Sequence, residues 1–164
     1  MQKLTPFFWF DSQAEEAANF YVSVFKNSKI KSVARYDEAG AKASGRLVGS
    51  AMVASFELEG QEFSALNGGP QPFAKPSGSV SFVINCENQE EVDHFWEKLS
   101  QGGEEGQCGW INHDKFGVTW QVVPVQLPKL LGDPDPTKAQ RVMQAMLQMK
   151  KIDIATLEKA AAGQ

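Results

Sequence analysis

The segments Glu16-Ala17-Ala18-Asn19-Phe20-Tyr21 and Glu91-Val92-Asp93-His94-Phe95-Trp96 superpose with an offset of 75 (95 minus 20). This internal repeat constrains the fold more than any other feature of the chain. The same offset lays Pro6-Phe7-Phe8-Trp9 on Ser81-Phe82-Val83-Ile84. A second match, with an offset of 57 (117 minus 60), places Gly60 on Gly117 and Phe63 on Trp120. A supersecondary unit that shows only half of a core has to pack beside its copy. At 164 residues and 42% apolar content the chain can bury one sizeable core.

Hydrophobic periodicity supplies the elements of the repeat. LTPFFWF (4–10) is a continuous apolar run and reads as a strand, and Asp11-Ser12 opens a helix whose stripe is Ala14, Ala17, Ala18, Tyr21, Val22 and Phe25. Residues 29–36 alternate as a strand. Glu38 to Gly49 is rich in small residues and reads as a loop. SAMVASFEL then turns at Glu59-Gly60 and returns as QEFSALN, a β-hairpin. The second half repeats the order, with GSVSFVIN as strand, Asn88 to Gln101 as amphipathic helix and Gly102-Gly103 as its stop.

The predicted fold class is α+β: two tandem βαβββ modules, residues 1–70 and 77–126, forming a cupped mixed sheet with the helices outside. One domain would span 1–126, and 127–164 would be a helical C-terminal extension. In that extension LPKLLGDPDP reads as a turn and connector. Asp135-Pro136-Thr137 starts a helix through Lys150 with a stripe of Ala139, Val142, Met143, Met146 and Leu147, and Asp153 caps a last helix over 154–161. The stripe suits core packing, a dimer contact or a lid.

Charge and composition exclude several function classes. A net charge of −4 and a pI near 5.2, without a basic stripe, argue against nucleic-acid binding. The start MQKLTPFFWF breaks at Asp11 and carries neither a signal peptide nor a membrane span, so a cytoplasmic location is expected. Cys86 and Cys108 form no CxxC pair and read as small buried hydrophobes. His94 lies mid-helix beside Asp93, His113 lies in the second hairpin beside Asp114, and neither has metal-ligand spacing.

Hairpin parity assigns a cavity face, because residues opposite one another on paired strands point to one side. The first turn sets Ser55 opposite Ser64, Val53 opposite Leu66, Phe56 opposite Phe63 and Glu57 beside Glu62. With the second turn centred on Phe116-Gly117, Asn112 pairs with Gln121, Trp110 with Val123 and Asp114 with Thr119. Phe56, Phe63 and Trp120 suit a helix-packed core, which leaves the polar set for the concave side. The lead strands add Pro6, Phe8 and Phe10, then Ser79, Ser81, Val83 and Asn85. The candidate ligand-binding residues are therefore Phe8, Ser64, Ser81, Cys108, Trp110, Asn112 and Gln121, an apolar wall with few polar groups. Cys108 shares parity with Trp110 but has no activating partner in sequence. Glu57 and Glu62 are a candidate acid–base pair.

TPFFWFDSQAEEAANFY, ALNGGP, NQEEVDHFWEKL, CGWINHDKFGVTWQVVP and DPDPTKAQRVMQAMLQMKKIDI resemble the vicinal oxygen chelate superfamily, the glyoxalase and bleomycin-resistance proteins, within its PhnB-like branch. The resemblance covers nearly the whole chain and implies eight strands from two modules and a homodimer. Catalytic members of that superfamily hold a divalent metal on the first and last strands of each module. Carried over, those positions are Pro6, Ser64, Ser81 and Gln121, of which only Gln121 is a plausible ligand; no metal and no cofactor are therefore expected. Sequences of the branch often bear a 3-demethylubiquinone methyltransferase label, yet Asp11-Ser12-Gln13 follows the first strand in place of a Gly-rich turn. Asn67-Gly68-Gly69-Pro70 opens no helix and reads as a turn, or as exposed amides that touch a ligand. The implied function is metal-free binding of an unidentified apolar or aromatic small molecule. The alternatives are a metal-dependent isomerase, lyase or dioxygenase, the methyltransferase-like enzyme, and an interaction module whose tail docks a partner.

Overall fold

Two parallel strand pairs organise the chain. In the computed structural model, which describes residues 2–71 and 79–164, β1 (Phe7–Phe10) runs parallel to β4 (Gln61–Asn67) and β5 (Phe82–Cys86) runs parallel to β8 (Trp120–Pro124). Each first strand crosses over through a helix, α1 (Ala14–Val24) or α3 (Gln89–Ser100). In the first module β2 (Lys29–Arg35) and β3 (Ala51–Leu58) complete a four-stranded sheet of order β1-β4-β3-β2. In the second, β6 (Glu104–Glu105) and β7 (Trp110–His113) give the same order, β5-β8-β7-β6. The duplication read from the helix repeat is thus a duplication of topology. The chain divides into two compact units, 1–75 and 76–164; the expected start of the second module at residue 77 lies outside the described residues.

The helix buries one face of each sheet. In the first module the Ala14, Ala17, Ala18 and Tyr21 stripe of α1 is fully buried, and small alanines let the helix sit close to the strands. Phe56 and Phe63 stack at 5.6 Å between ring centroids, and Tyr21 stacks on Phe56 at 6.3 Å. In the second module Val92, Phe95, Trp96 and Leu99 of α3 play the part of that stripe, against Ile111, Trp120 and Val122. Cys86 is fully buried there, and burial pushes its thiol up to about 12, so it packs as a small hydrophobe.

Three local features depart from the sequence expectation. The small-residue stretch after β2 is not a loop throughout: Glu38–Ser44 forms a helix, α2, capped by the Asp37 carboxylate and ended by Gly45 in the left-handed region. Alanines make helix formation inexpensive even in a connection. The Asp11-Ser12 start does not cap α1 either. Its first amide, on Ala14, donates instead to the buried Asn67 Oδ1 at 2.7 Å, while Asn67 Nδ2 holds the Ala51 carbonyl at 3.0 Å. A residue 53 positions away thus supplies the cap. In the tail, residues 126–131 form a further helix, α4 (Gln126–Leu131), and the next, α5 (Pro136–Met146), stops short of Lys150.

The tail is integral to the second unit. α4, α5 and α6 (Ile154–Ala162) enclose Leu127, Val142, Ile152 and Leu157, and Val123 of β8 packs against this cluster. The segment between α5 and α6 is tied down by Cys108 N to Met149 O and Gly109 N to Lys150 O, both at 2.7 Å. Gln89 of α3 donates to Ile152 O and accepts from Ile154 N. Lys151 pairs with Asp93 at 2.6 Å, which holds the Asp93 carboxyl below its ordinary range and raises the Lys151 ammonium. Stability from a depressed acid is present above its unfolded pKa and lost as pH falls through the folded one; stability from a raised lysine is lost as pH rises through its folded value. Both partners are more than a third exposed, so Asp93→Asn is expected to cost about half a kcal/mol at neutral pH and nothing at pH 2, read from urea midpoints at the two pH values.

Asp114 sets the second hairpin. It is 1% exposed, and its Oδ1 accepts from Phe116 N at 2.8 Å and Val118 N at 3.0 Å while Oδ2 accepts from Trp120 Nε1 at 2.8 Å. Asp114→Ala would orphan three buried donors and is expected to cost on the order of 3 kcal/mol. Urea unfolding should show a lowered midpoint, with Asp114→Asn falling between the two because its amide oxygen still accepts from the backbone.

Candidate functional site

The face of each sheet turned away from its helix carries the candidate residues. In the second module this face is formed by Ser81, Val83 and Asn85 along the lead strand, Gln121 and Val123 on β8, and Trp110 on β7. Val83 is half exposed. Gln121 Nε2 donates to Ser81 Oγ at 2.8 Å, and Trp110 stands directly opposite Gln121 in the antiparallel register. An indole and an apolar strand thus flank a hydroxyl–amide pair. Such a surface offers neutral hydrogen bonds on an apolar floor.

The register differs from the expected one by two residues: Trp110 pairs with Gln121 and Ile111 with Trp120, in place of Trp110 with Val123 and Asn112 with Gln121. The reason is Asp114, whose carboxylate gathers residues 116 to 120 and makes the turn longer than a tight one. Parity survives a shift of two, so Trp110 and Gln121 still share a face. Asn112 moves outward; it is exposed and donates to Glu104 Oε1 at 2.8 Å at the sheet edge.

Phe8 belongs to the helix-packed core and not to the open face. Its ring meets Phe63 at 5.7 Å, Tyr21 at 6.1 Å and Phe56 at 6.5 Å, and Phe10 on the same side is buried. The strand registers explain the error. Phe7 pairs with Ser64 as Val83 pairs with Gln121, an offset of 76 (83 minus 7), whereas the helices begin at Ala14 and Gln89, an offset of 75 (89 minus 14). One extra residue between β1 and α1 reverses the side on which every β1 side chain emerges. Phe7 and Trp9 take the open face, beside Ser64 and Leu66.

Cys108 lies in a turn ahead of β7 with φ of 57°, so strand parity does not govern it. Its Sγ donates to Met146 O at 3.6 Å, which turns it toward the tail. In the first module the expected pairs Ser55–Ser64, Val53–Leu66, Phe56–Phe63 and Glu57–Glu62 are all observed. Glu57 and Glu62 each meet a lysine, Lys29 and Lys31. The hydrogen bond from Lys31 holds the Glu62 carboxyl below its ordinary range, the opposite of what an acid catalyst needs. His94 is exposed, and His113 lies 3.6 Å from Glu104 with Nδ1 at 3.1 Å from Asp114 O. Sequence reasoning also missed Arg46, which pairs with Asp11 at 2.7 Å. No motif marks it, because its partners converge only in the fold.

A family profile described as 3-demethylubiquinone-9 3-methyltransferase matches residues 2–123. A PhnB protein from Bacillus cereus is 38% identical, with a TM-score of 0.64 over 76% of this chain and 100% of that one. The chain belongs to the PhnB-like, 3-demethylubiquinone-9 3-methyltransferase-like family. A protein from Pseudomonas aeruginosa shares the fold at 18% identity, with a TM-score of 0.57 over 76% of this chain and 98% of its own. Among curated proteins, none matches the sequence significantly.

The divalent metal of the wider superfamily does not fit this PhnB-like chain. Of the positions carried over, Ser81 and Gln121 are hydrogen-bonded to each other, and the 76-residue offset makes Thr5, not Pro6, the counterpart of Ser81. Among the described residues no group of three or more His, Cys, Asp or Glu side chains could hold a metal ion. Hydroxyls and one neutral amide are weak donors for such a cation. The Glu57–Glu62 pair is testable directly. Glu62 should titrate below the usual glutamate range by carboxyl-detected NMR and move up in Lys31→Met; a value above that range in the unaltered protein would restore an acid role.

Proposed function

We propose that the protein binds a small apolar or aromatic molecule on the open face of its second-module sheet, without a divalent metal. The Ser81–Gln121 hydrogen bond opposite Trp110 carries this reading. Trp110 and Val83 offer apolar contact, and Gln121 keeps its amide oxygen for a donor on the guest while Ser81 can turn its hydroxyl. Asn112 at the edge and Ser64 in the first module are secondary candidates. The methyltransferase label of the family gains little here: β1 runs into Asp11-Ser12-Gln13, and each sheet mixes parallel with antiparallel pairs, unlike the Gly-rich turn and parallel sheet expected for S-adenosylmethionine.

A homodimer in the cytoplasm belongs to the same proposal. Exposed Met143 and Leu147, one turn apart at the end of α5, support a contact between copies. Among the described residues no helix is long and apolar enough to cross a membrane. Removing residues 133–164 is a poor test of that contact, because it strips Val142, Ile152 and Leu157 from the core; Met143→Glu with Leu147→Glu leaves the core intact.

The deciding experiment screens small aromatic compounds by NMR against protein purified without a metal-binding tag. Hits should perturb the Trp110 indole signal, and Gln121→Ala or Ser81→Ala should weaken them by roughly three- to tenfold with an unchanged melting temperature. Stoichiometric, tightly held metal in the purified protein would defeat the reading, as would hits that ignore both substitutions.

A further inference from the structure

The turn Gly68-Gly69 that closes the first module leaves room for two side chains. A methyl group on Gly68 would fall inside the Trp9 ring, and one on Gly69 would lie 2.8 Å from Arg46 Nη2. Trp9 Nε1 donates to Gly69 O at 2.8 Å. An indole and a guanidinium therefore meet at one residue; the Trp9 ring leaves no room for a side chain at Gly68, and the φ of +87° favours glycine at Gly69. The Arg46 side chain is 21% exposed. Among the described residues the only acceptor its side chain meets is one oxygen of Asp11, at 2.7 Å. A guanidinium carries five N–H donors in a planar fork, and among the described residues no Arg46 nitrogen is both buried and unpartnered, so the donors that Asp11 leaves open face solvent, within reach of a ligand.

We propose that Arg46, seated on Gly69 beside Trp9, is an oxyanion subsite that takes the carboxylate of a small acid with an apolar body. A carboxylate presents two coplanar oxygens that match the free edge of the fork. The apolar body has Trp9, Phe7 and Leu66 at hand, which lie on one face of the β1–β4 pair, Phe7 being 57% exposed. The site lies wholly within the first module and does not depend on the proposal for the second. Asp11, 58% exposed, is a competitor: it occupies one donor and repels a second carboxylate.

Benzoate is the probe, with benzamide as its uncharged counterpart and inorganic phosphate as the other oxyanion. In amide-detected NMR titrations of the full chain, benzoate should saturably shift the Gly68 and Gly69 amides and the Trp9 indole, and benzamide should not at equal concentration. Arg46→Lys keeps the charge but loses the fork, and should weaken benzoate by about tenfold. Asp11→Asn should strengthen it several-fold; a purely structural Arg46–Asp11 latch predicts no gain. Absence of saturable shifts, equal binding of benzamide, phosphate binding without benzoate binding, or weaker benzoate binding in Asp11→Asn would each overturn the proposal. Asp11→Asn reads the claim independently should Arg46→Lys lower stability.

Discussion

Parallel pairing of the first and last strand in each module is the constraint from which the rest of the structure descends. Parallel neighbours cannot be joined by a tight turn, so the chain leaves β1 or β5 and crosses over through a helix before it returns. The helix has to cover one face of the sheet, and it takes the aromatic and aliphatic side chains with it: Phe8, Phe56, Phe63 and Tyr21 in one unit, Ile84, Trp96, Trp120 and Val122 in the other. The opposite face is left with residues the helix-packed side does not need, Val123 among them being taken up by the tail cluster. The second face of each sheet is thus a by-product of one-sided helix packing, and its chemistry is set by whichever residues alternate outward.

Buried polar groups then fix what hydrophobic packing leaves loose. Asn67 binds the first turn of α1 to the end of β4 and to β3, and Asp114 closes the second hairpin around Trp120. Each supplies several directed bonds from one side chain, so each selects one arrangement among several that would bury similar area. The consequence for function is direct. Asp114 decides that Trp110, and not Asn112, stands across from Gln121, and so decides what an incoming molecule would meet.

Polar groups on the two open faces are handled differently. Glu57 and Glu62 of the first module have lysine partners, and the hydrogen bond from Lys31 holds the Glu62 carboxyl low, whereas Ser81 and Gln121 of the second satisfy each other without charge. A neutral pair can exchange its internal bond for one to a guest at small cost, which is the physical ground for proposing the second module as the reader of uncharged ligands. Arg46, in the first, is a guanidinium whose carboxylate partner, Asp11, is itself more than half exposed.

The sequence by itself determined the duplicated βαβββ order, the α+β class, the Ala14-Ala17-Ala18-Tyr21 stripe of α1 and the complete register of the first hairpin, because these follow from local periodicity and a two-residue turn at Glu59-Gly60; of the stripe read for α5, Met143 and Leu147 stay exposed. It also marked Trp110, Ser81 and Gln121 as sharing a face. Only the tertiary structure decided on which side Phe8 emerges, where the second hairpin is registered and that Cys108 turns to the tail. Parity along a strand is lost with one uncounted residue between β1 and α1, and the turn at Asp114 is shaped by a bond to Trp120 six residues on. The Arg46 site was invisible for a like reason: its members come from positions 9, 11, 46 and 68–69, which no spacing rule connects and only the folded sheet brings together.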